Sequence, residues 1–174
     1  MTVGLKSVLY GAHAFWLHPI AVWLAWVKLY RRLPNRFECL AILLHDVGYA
    51  VDCKTMDGPD GREHPVIGAR IAKRIARFFS ARECNVIYTE GLILGHSRSF
   101  CAEHHFKLSE LNAPDKYAVL YDPAWFYWVR TTLSGEIDEY RRNEEEKQSR
   151  CMASNWAWLC EYRKSVKARF SKST

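Results

Sequence analysis

The feature that most constrains this chain is an apolar run that ends in two ligand-type side chains. Ala41-Ile42-Leu43-Leu44 leads straight into His45-Asp46, with Gly48 and Tyr49 behind them. Such a run reads as a buried helix segment. Histidine and aspartate at its end need partners, because an unpaired charge in apolar surroundings is expensive. A divalent metal is one such partner. Asp46 could bridge two ions through its two oxygens while His45 binds one of them. A core histidine beside a helix-end aspartate would give the same residues, so the stretch must be weighed with its surroundings.

Those surroundings are helical. Pro19 suits a first helical turn, which puts His18 at a helix start. The helix runs to about Arg32, is apolar nearly all round and is therefore expected to be buried; Pro34 ends it. Asn35 and Glu38 form a capping-box pattern that opens the helix ending near His45-Asp46. Two helices joined by so short a turn lie antiparallel, which brings His18 near His45 and Asp46. Residues 52–63 read as a loop, with a dense turn signal at Asp57-Gly58-Pro59-Asp60-Gly61. Pro65 starts another helix just after His64. Ser80 and Glu83 suggest a further capping box, for a helix reaching Gly95-His96. A loop follows from Ser97 to about Leu108, then a helix through Asp115-Lys116 to Tyr121. Asp122-Pro123 reads as a cap and first-turn proline for an aromatic helix to Leu133. A charged helix near 136–148 and a basic amphipathic helix near 154–170 close the chain. The expectation is an all-α bundle of seven or eight helices.

At 174 residues the chain is expected to form one domain, with a core over about 13–125 and C-terminal helices over about 123–170 packing on it. Its net charge of +6 suits an anionic substrate without demanding nucleic acid. The six cysteines, Cys39, Cys53, Cys84, Cys101, Cys151 and Cys160, form no C-x-x-C pair, so they read as reduced thiols of a cytoplasmic protein. Ser7 to Val27 carries no Asp, Glu, Lys or Arg and is nearly long enough to span a bilayer. His13, His18 and Pro19 inside it favour a buried helix over a span or a signal segment.

Six candidate ligands follow in order: His18, His45, Asp46, His64, His96 and Asp115, spaced by 27, 1, 18, 32 and 19. Imidazoles suit transition metals and carboxylates complete the shell. The set is large enough for two divalent ions, of which Mn, Fe and Zn are the first choices and Mg and Co further ones. Two ions a few ångströms apart can generate a hydroxide nucleophile and clamp a phosphoryl group.

The same motifs carry a family resemblance over about residues 13–125. His18-Pro19-Ile20-Ala21-Val22, His45-Asp46, and Asp115-Lys116-Tyr117-Ala118 resemble the signature of the HD-domain superfamily of metal-dependent phosphohydrolases. His64-Pro65-Val66-Ile67-Gly68-Ala69 and Gly95-His96-Ser97 resemble the extra histidine motifs of its binuclear branches. The resemblance implies an all-α metal-binding domain. His18, His45, Asp46 and Asp115 would hold one metal, and His64 and His96, with Asp46 bridging, the second. It also implies hydrolysis of a phosphoester or phosphoanhydride bond in a nucleotide or related small phosphate ester. Asp46 and Lys116 are then the residues expected to carry chemistry.

The chain departs from that pattern at Tyr49, where many binuclear members have a substrate-contacting lysine. Tyrosine can donate a hydrogen bond but carries no charge at neutral pH. Lys54, Arg62, Arg98 and Lys116 are the candidate substitutes for the phosphate contact, with Tyr49 itself as a hydrogen-bonding group; each cation could equally be a solvated surface charge. His13 reads as a core histidine or a supporting group, and His104 and His105 as a loop pair. The basic face Arg70 to Arg77 and the run Glu144-Glu145-Glu146 read as solvated. Trp156, Leu159, Val166 and Phe170 are expected to dock the last helix on the domain or on a second copy.

Two other readings stay open. The six-ligand pattern also resembles that of mixed-valent diiron oxygenases of the superfamily, which activate dioxygen. A non-catalytic binding module is the third, although such modules lose ligands and this chain has a complete set. Nucleic acid is a less favoured partner than a small phosphate.

Overall fold

The computed structural model describes residues 1–51, 53–79, 82–149 and 151–171. Among them the fold is all-α, with no strand. In order the helices are α1 (Val3–Tyr10), α2 (His18–Tyr30), α3 (Arg36–Leu44), α4 (Pro59–Arg62), α5 (His64–Phe79), α6 (Glu83–Leu94), α7 (Arg98–Glu103), α8 (Asn112–Ala118), α9 (Ala124–Ser134), α10 (Glu136–Gln148) and α11 (Asn155–Ser171). A 3-10 turn, Val47–Ala50, follows α3. The helices outnumber the seven or eight expected because α1, α4 and α7 are short elements without strong periodicity. The uncharged stretch from Ser7 to Val27 is divided between α1 and α2, and no helix among the described residues is long and apolar enough to cross a membrane.

The start and stop signals act locally as their chemistry dictates. Pro19 lies in the first turn of α2. The Asn35 carboxamide accepts from the Phe37 and Glu38 amides, and the Glu38 carboxylate accepts from the Asn35 amide at 2.7 Å, completing the box. Two start signals resolve differently. Ser80 lies outside the described residues, and α6 begins at Glu83 with no side-chain cap, so Glu83 is its first residue rather than its third. Asp122 does not cap α9, because its carboxylate pairs with the buried Arg130 instead.

Two apolar clusters organise the helices. The first joins Val22 and Trp26 of α2, Ala41 and Ile42 of α3, Ala69 and Ala72 of α5, Leu92 and Ile93 of α6, and Leu111 and Ala118 around α8. Each large side chain fully buried here contributes about 1.5–3 kcal/mol. The second joins Tyr127 of α9, Ile137 of α10, and Trp158, Leu159 and Val166 of α11. The last helix is thus docked on the rest of the molecule, as its pattern predicts, but through Trp158 rather than Trp156, which is exposed. Arg163 reinforces the docking by donating to the carbonyls of Val119, Leu120 and Asp122.

Two glycines let the backbone cross at the ends of α3 and α5. A Cβ on Gly68 would stand 2.6 Å from the Leu44 carbonyl oxygen, and one on Gly48 would stand 2.0 Å from that of His64. Both contacts are closer than any side-chain carbon tolerates, so glycine is required. The crossing sets His64 beside Asp46.

Candidate metal centre

Helix ends converge on one buried point. His18 opens α2, His45 and Asp46 follow α3, His64 opens α5, His96 follows α6, and Asp115 lies in α8. His45, Asp46, His64, His96 and Asp115 are all buried. They form two groups of potential metal ligands that share Asp46: His18, His45, Asp46 and Asp115, and Asp46, His64 and His96.

The Asp46 carboxylate faces both groups. Its Oδ2 lies 3.2 Å from His18 Nε2 and 3.0 Å from His45 Nε2, while its Oδ1 lies 3.5 Å from His64 Nε2 and 3.4 Å from His96 Nε2. Asp115 Oδ1 completes the first group at 3.2 Å from His18 Nε2 and 3.6 Å from His45 Nε2.

Backbone carbonyls orient three of the rings. His45, His64 and His96 each donate Nδ1–H to the carbonyl three residues before, Ile42 at 2.8 Å, Gly61 at 2.6 Å and Ile93 at 2.5 Å. That fixes the tautomer and leaves Nε2 as the donor atom for a metal. His64 Nε2 and His96 Nε2 then face each other at 3.1 Å, and His18 Nε2 faces His45 Nε2 at 3.3 Å. Two lone pairs at that separation repel unless a cation or a proton lies with them. Asp46 Oδ2 is also buried without a hydrogen-bond partner among the described residues. An orphaned carboxylate oxygen amid converging imidazole nitrogens fits a metal site, in both donor chemistry and grouping.

The electrostatics differ between the groups. Burial alone would lower the His45 imidazole, but the Asp46 and Asp115 carboxylates outweigh it and raise it to about 10. His18 is raised by the same carboxylates against the same burial. Burial lowers His64, with the neighbouring His96 adding to it, and burial lowers His96 as well. Burial opposes ionisation of Asp46 and Asp115, yet their cationic neighbours hold both carboxyls well below the usual carboxylate range.

The surroundings sort the candidate substrate residues. Tyr49 is buried and stacks on His64, with ring centroids 3.8 Å apart and planes at 18°. Lys116 places Nζ 2.9 Å from Asp115 Oδ2, and Asp115 holds its ammonium protonated. Two cavities adjoin the cluster. The smaller, about 180 Å³, is lined by Asp46, His64, His96, Arg98, Lys116 and Lys147, among others. The larger, about 270 Å³, opens beside His18 and Asp115 and extends under α10 and α11. Tyr49 and Lys116 line both and Arg98 lines the smaller. Lys54 and Arg62 line neither: Lys54 is exposed, and the exposed Arg62 donates to the Asp57 carbonyl. His104 pairs with the exposed Glu63 at 2.7 Å, away from both linings.

Three residues at the site mouth, Asp57, Asn143 and Lys147, escape a reading of the chain, which does give His13 as a core histidine or a supporting group. His13 Nε2 lies 3.9 Å from Asp46 Oδ2, and its Nδ1 lies 2.8 Å from Ser7 Oγ, which donates to the fully buried Glu136 at 2.6 Å. Asp57, Asn143 and Lys147 join it in the cavity walls. The uncharged segment around His13 hinted at burial, but nothing near Asn143 or Lys147 marks them apart from a solvated helix face. All six cysteines are free thiols.

The chain thus carries a buried His/Asp cluster able to hold metal, on an all-α scaffold. No family model matches it, and neither the curated proteins nor the solved structures contain a significant match.

Proposed function

We propose that this chain is an HD-type metal-dependent phosphohydrolase acting on a nucleotide or a related small phosphate ester. The observation that carries the reading is the two-sided Asp46 carboxylate, with two imidazole nitrogens gathered at each oxygen. His18, His45, Asp46 and Asp115 would hold one divalent ion, and His64, His96 and Asp46 a second. Such a pair supplies an activated water and neutralises charge on a phosphoryl group.

The chain's own groups then have distinct parts. Arg98, Lys116 and Lys147 line the smaller cavity beside the cluster and supply cations for phosphate oxygens. Lys116 is the best placed, because Asp115 keeps it charged and fixes its position. Tyr49 holds the His64 ring by stacking and offers a hydroxyl rather than a charge. The free thiols accord with the reducing, cytoplasmic setting expected from the cysteine pattern.

The test is product release from deoxynucleoside triphosphates and monophosphates, dinucleoside polyphosphates and cyclic dinucleotides, with manganese or ferrous iron and an Asp46→Ala control. Cleavage of one class with a dead control is the expected result. No cleavage by a protein that holds two irons and consumes oxygen would replace hydrolysis by oxygenase chemistry.

A further inference from the structure

One face of the molecule is apolar and displays no charge. Its middle is the outer side of α9, where Trp125 is 64% exposed and Leu133 66%, with Trp128 and Val129 exposed between them. Beside it lie the turn between α1 and α2 and the outer side of α2, where Phe15 is 58% exposed and Ile20 57%, with Trp16 and Leu24 also exposed. Hydrogen bonds hold the two parts side by side. The Arg130 guanidinium of α9 donates to the Tyr10 and Gly11 carbonyls, and the Tyr121 hydroxyl, just before α9, donates to the Leu24 carbonyl at 3.3 Å. On the other side Trp128 meets the exposed Trp156 of α11 edge to face, with ring centroids 6.1 Å apart. No Asp, Glu, Lys or Arg lies between Ser7 and Val27, and the one charged residue of α9, Arg130, is buried against Asp122.

We infer that this face is a self-association surface, across which two copies of the chain form a two-fold symmetric dimer with α9 near its centre. Area separates the face from scattered surface residues. At about 150–250 Å² for each whole aromatic side chain, and less for an aliphatic one, the exposed parts of these residues amount to roughly 800 Å². The largest apolar patch on a monomer is about 300–600 Å², whereas each partner in a stable interface contributes about 800 Å². Composition agrees, because interface centres are poor in charge and rich in tryptophan and phenylalanine. Charge selects the occupant. The chain carries a net +6, so two copies repel across any face that displays its cations and least across this one. An anionic lipid surface or an acidic partner would be drawn to cations, but the exposed Arg70 and Arg74 stand on α5, which packs on α3 and α6. A two-fold axis needs only a surface that complements itself, and a charge-free band of rings and aliphatic side chains does so without opposite charges to pair. None of these residues is a candidate metal ligand, so the dimer does not depend on the proposed chemistry.

The test is the mass of the full chain in solution, by sedimentation velocity over about 1 to 100 μM, where an interface of this size shows its affinity. A dimer is expected. Trp125→Lys sets two like charges near the centre and is expected to weaken the dimer by about a hundredfold or more. Ile20→Lys does the same from the α2 side, and it decides the matter if circular dichroism shows Trp125→Lys to be unfolded. Ile87→Lys is the control: Ile87 is exposed on α6, which packs on α3 and α5, and this variant should dimerise as the parent does. A parent that stays monomeric at the highest concentration, or a dimer that persists in both folded face variants, would overturn the inference. Dissociation by Ile87→Lys to the same degree would overturn it too, since added charge anywhere would then suffice. So would a monomer that sediments with phosphatidylcholine vesicles and loses them on Trp125→Lys, because the face would then belong to a lipid surface.

Discussion

His64 Nε2 and His96 Nε2 point at each other across 3.1 Å, each with its Nδ1 proton given to a backbone carbonyl. Both rings are buried, and burial keeps both below the ordinary imidazole value. The pair is therefore neutral, and its lone pairs converge beside Asp46 Oδ1. A cation in that position would relieve the repulsion and satisfy the carboxylate.

The opposite shifts in the cluster give the metal-free protein a two-sided pH dependence. Asp46 and Asp115 are held well below 3.8, and His64 and His96 lie below 6.5. For all four, acidification protonates the unfolded chain before the folded one, so stability is lost as pH falls, first from about 6.5 and then through the carboxylate range. His45 acts in the other direction. Raised to about 10, it contributes stability that is fully present below 6.5 and lost as pH rises through about 10. Urea midpoints measured from pH 4 to 10 without metal should peak in between. Metal must displace the proton that His45 retains at pH 7, so calorimetry in buffers of different ionisation enthalpy should show release of about one proton or more per chain. No release would contradict the assignment.

Gly48 is a positional requirement of the second group of potential metal ligands. Gly48→Ala would drive a methyl into the His64 carbonyl at the start of α5. The expected outcome is a displaced His64 and about tenfold or greater loss of affinity in that group, with the His18 group retained. Metal titration followed by cobalt absorption would read the two groups separately.

The Tyr49 ring and the Tyr49 hydroxyl have separable roles. Tyr49→Ala removes the stack on His64 and leaves a cavity, costing about 3–5 kcal/mol in denaturant unfolding. Tyr49→Phe keeps the stack, so stability and metal content should stay close to the parent's. Any change it causes in turnover then reports the hydroxyl alone.

Glu38 ties the start of α3 to two neighbours. It is buried, receives both Arg32 guanidinium nitrogens at 2.7 and 2.8 Å, and accepts from the Asn35 amide and the Tyr88 hydroxyl. Glu38→Ala would strand these donors and should cost about 2 kcal/mol or more of unfolding free energy. A loss under half of that in urea melts would show that water replaces the carboxylate.

Five of the six candidate ligands were legible because each sits at or near a signal that acts over a few residues, and Asp115 through its motif. Pro19 and Pro65 mark the helix starts at His18 and His64, Asn35 and Glu38 open the helix that ends at His45-Asp46, and Gly95 precedes His96. The cavity walls were not legible, since they depend on α10 and α11 folding back over α2 and α8. Lys147 reaches the site and Lys54 does not, although Lys54 is nearer to the ligands along the chain. Asp122 shows the same limit on a smaller scale. Its place before Pro123 suggests a cap, but a buried arginine eight residues on, with no other carboxylate partner among the described residues, takes it.

The most direct test of the account is metal content per chain, measured by mass spectrometry on protein loaded with manganese or iron. The parent should hold two ions, His64→Ala or His96→Ala one, and Asp46→Ala fewer than either histidine variant. One ion in both the parent and the His96→Ala protein would contradict the shared-carboxylate centre on which the proposed chemistry depends.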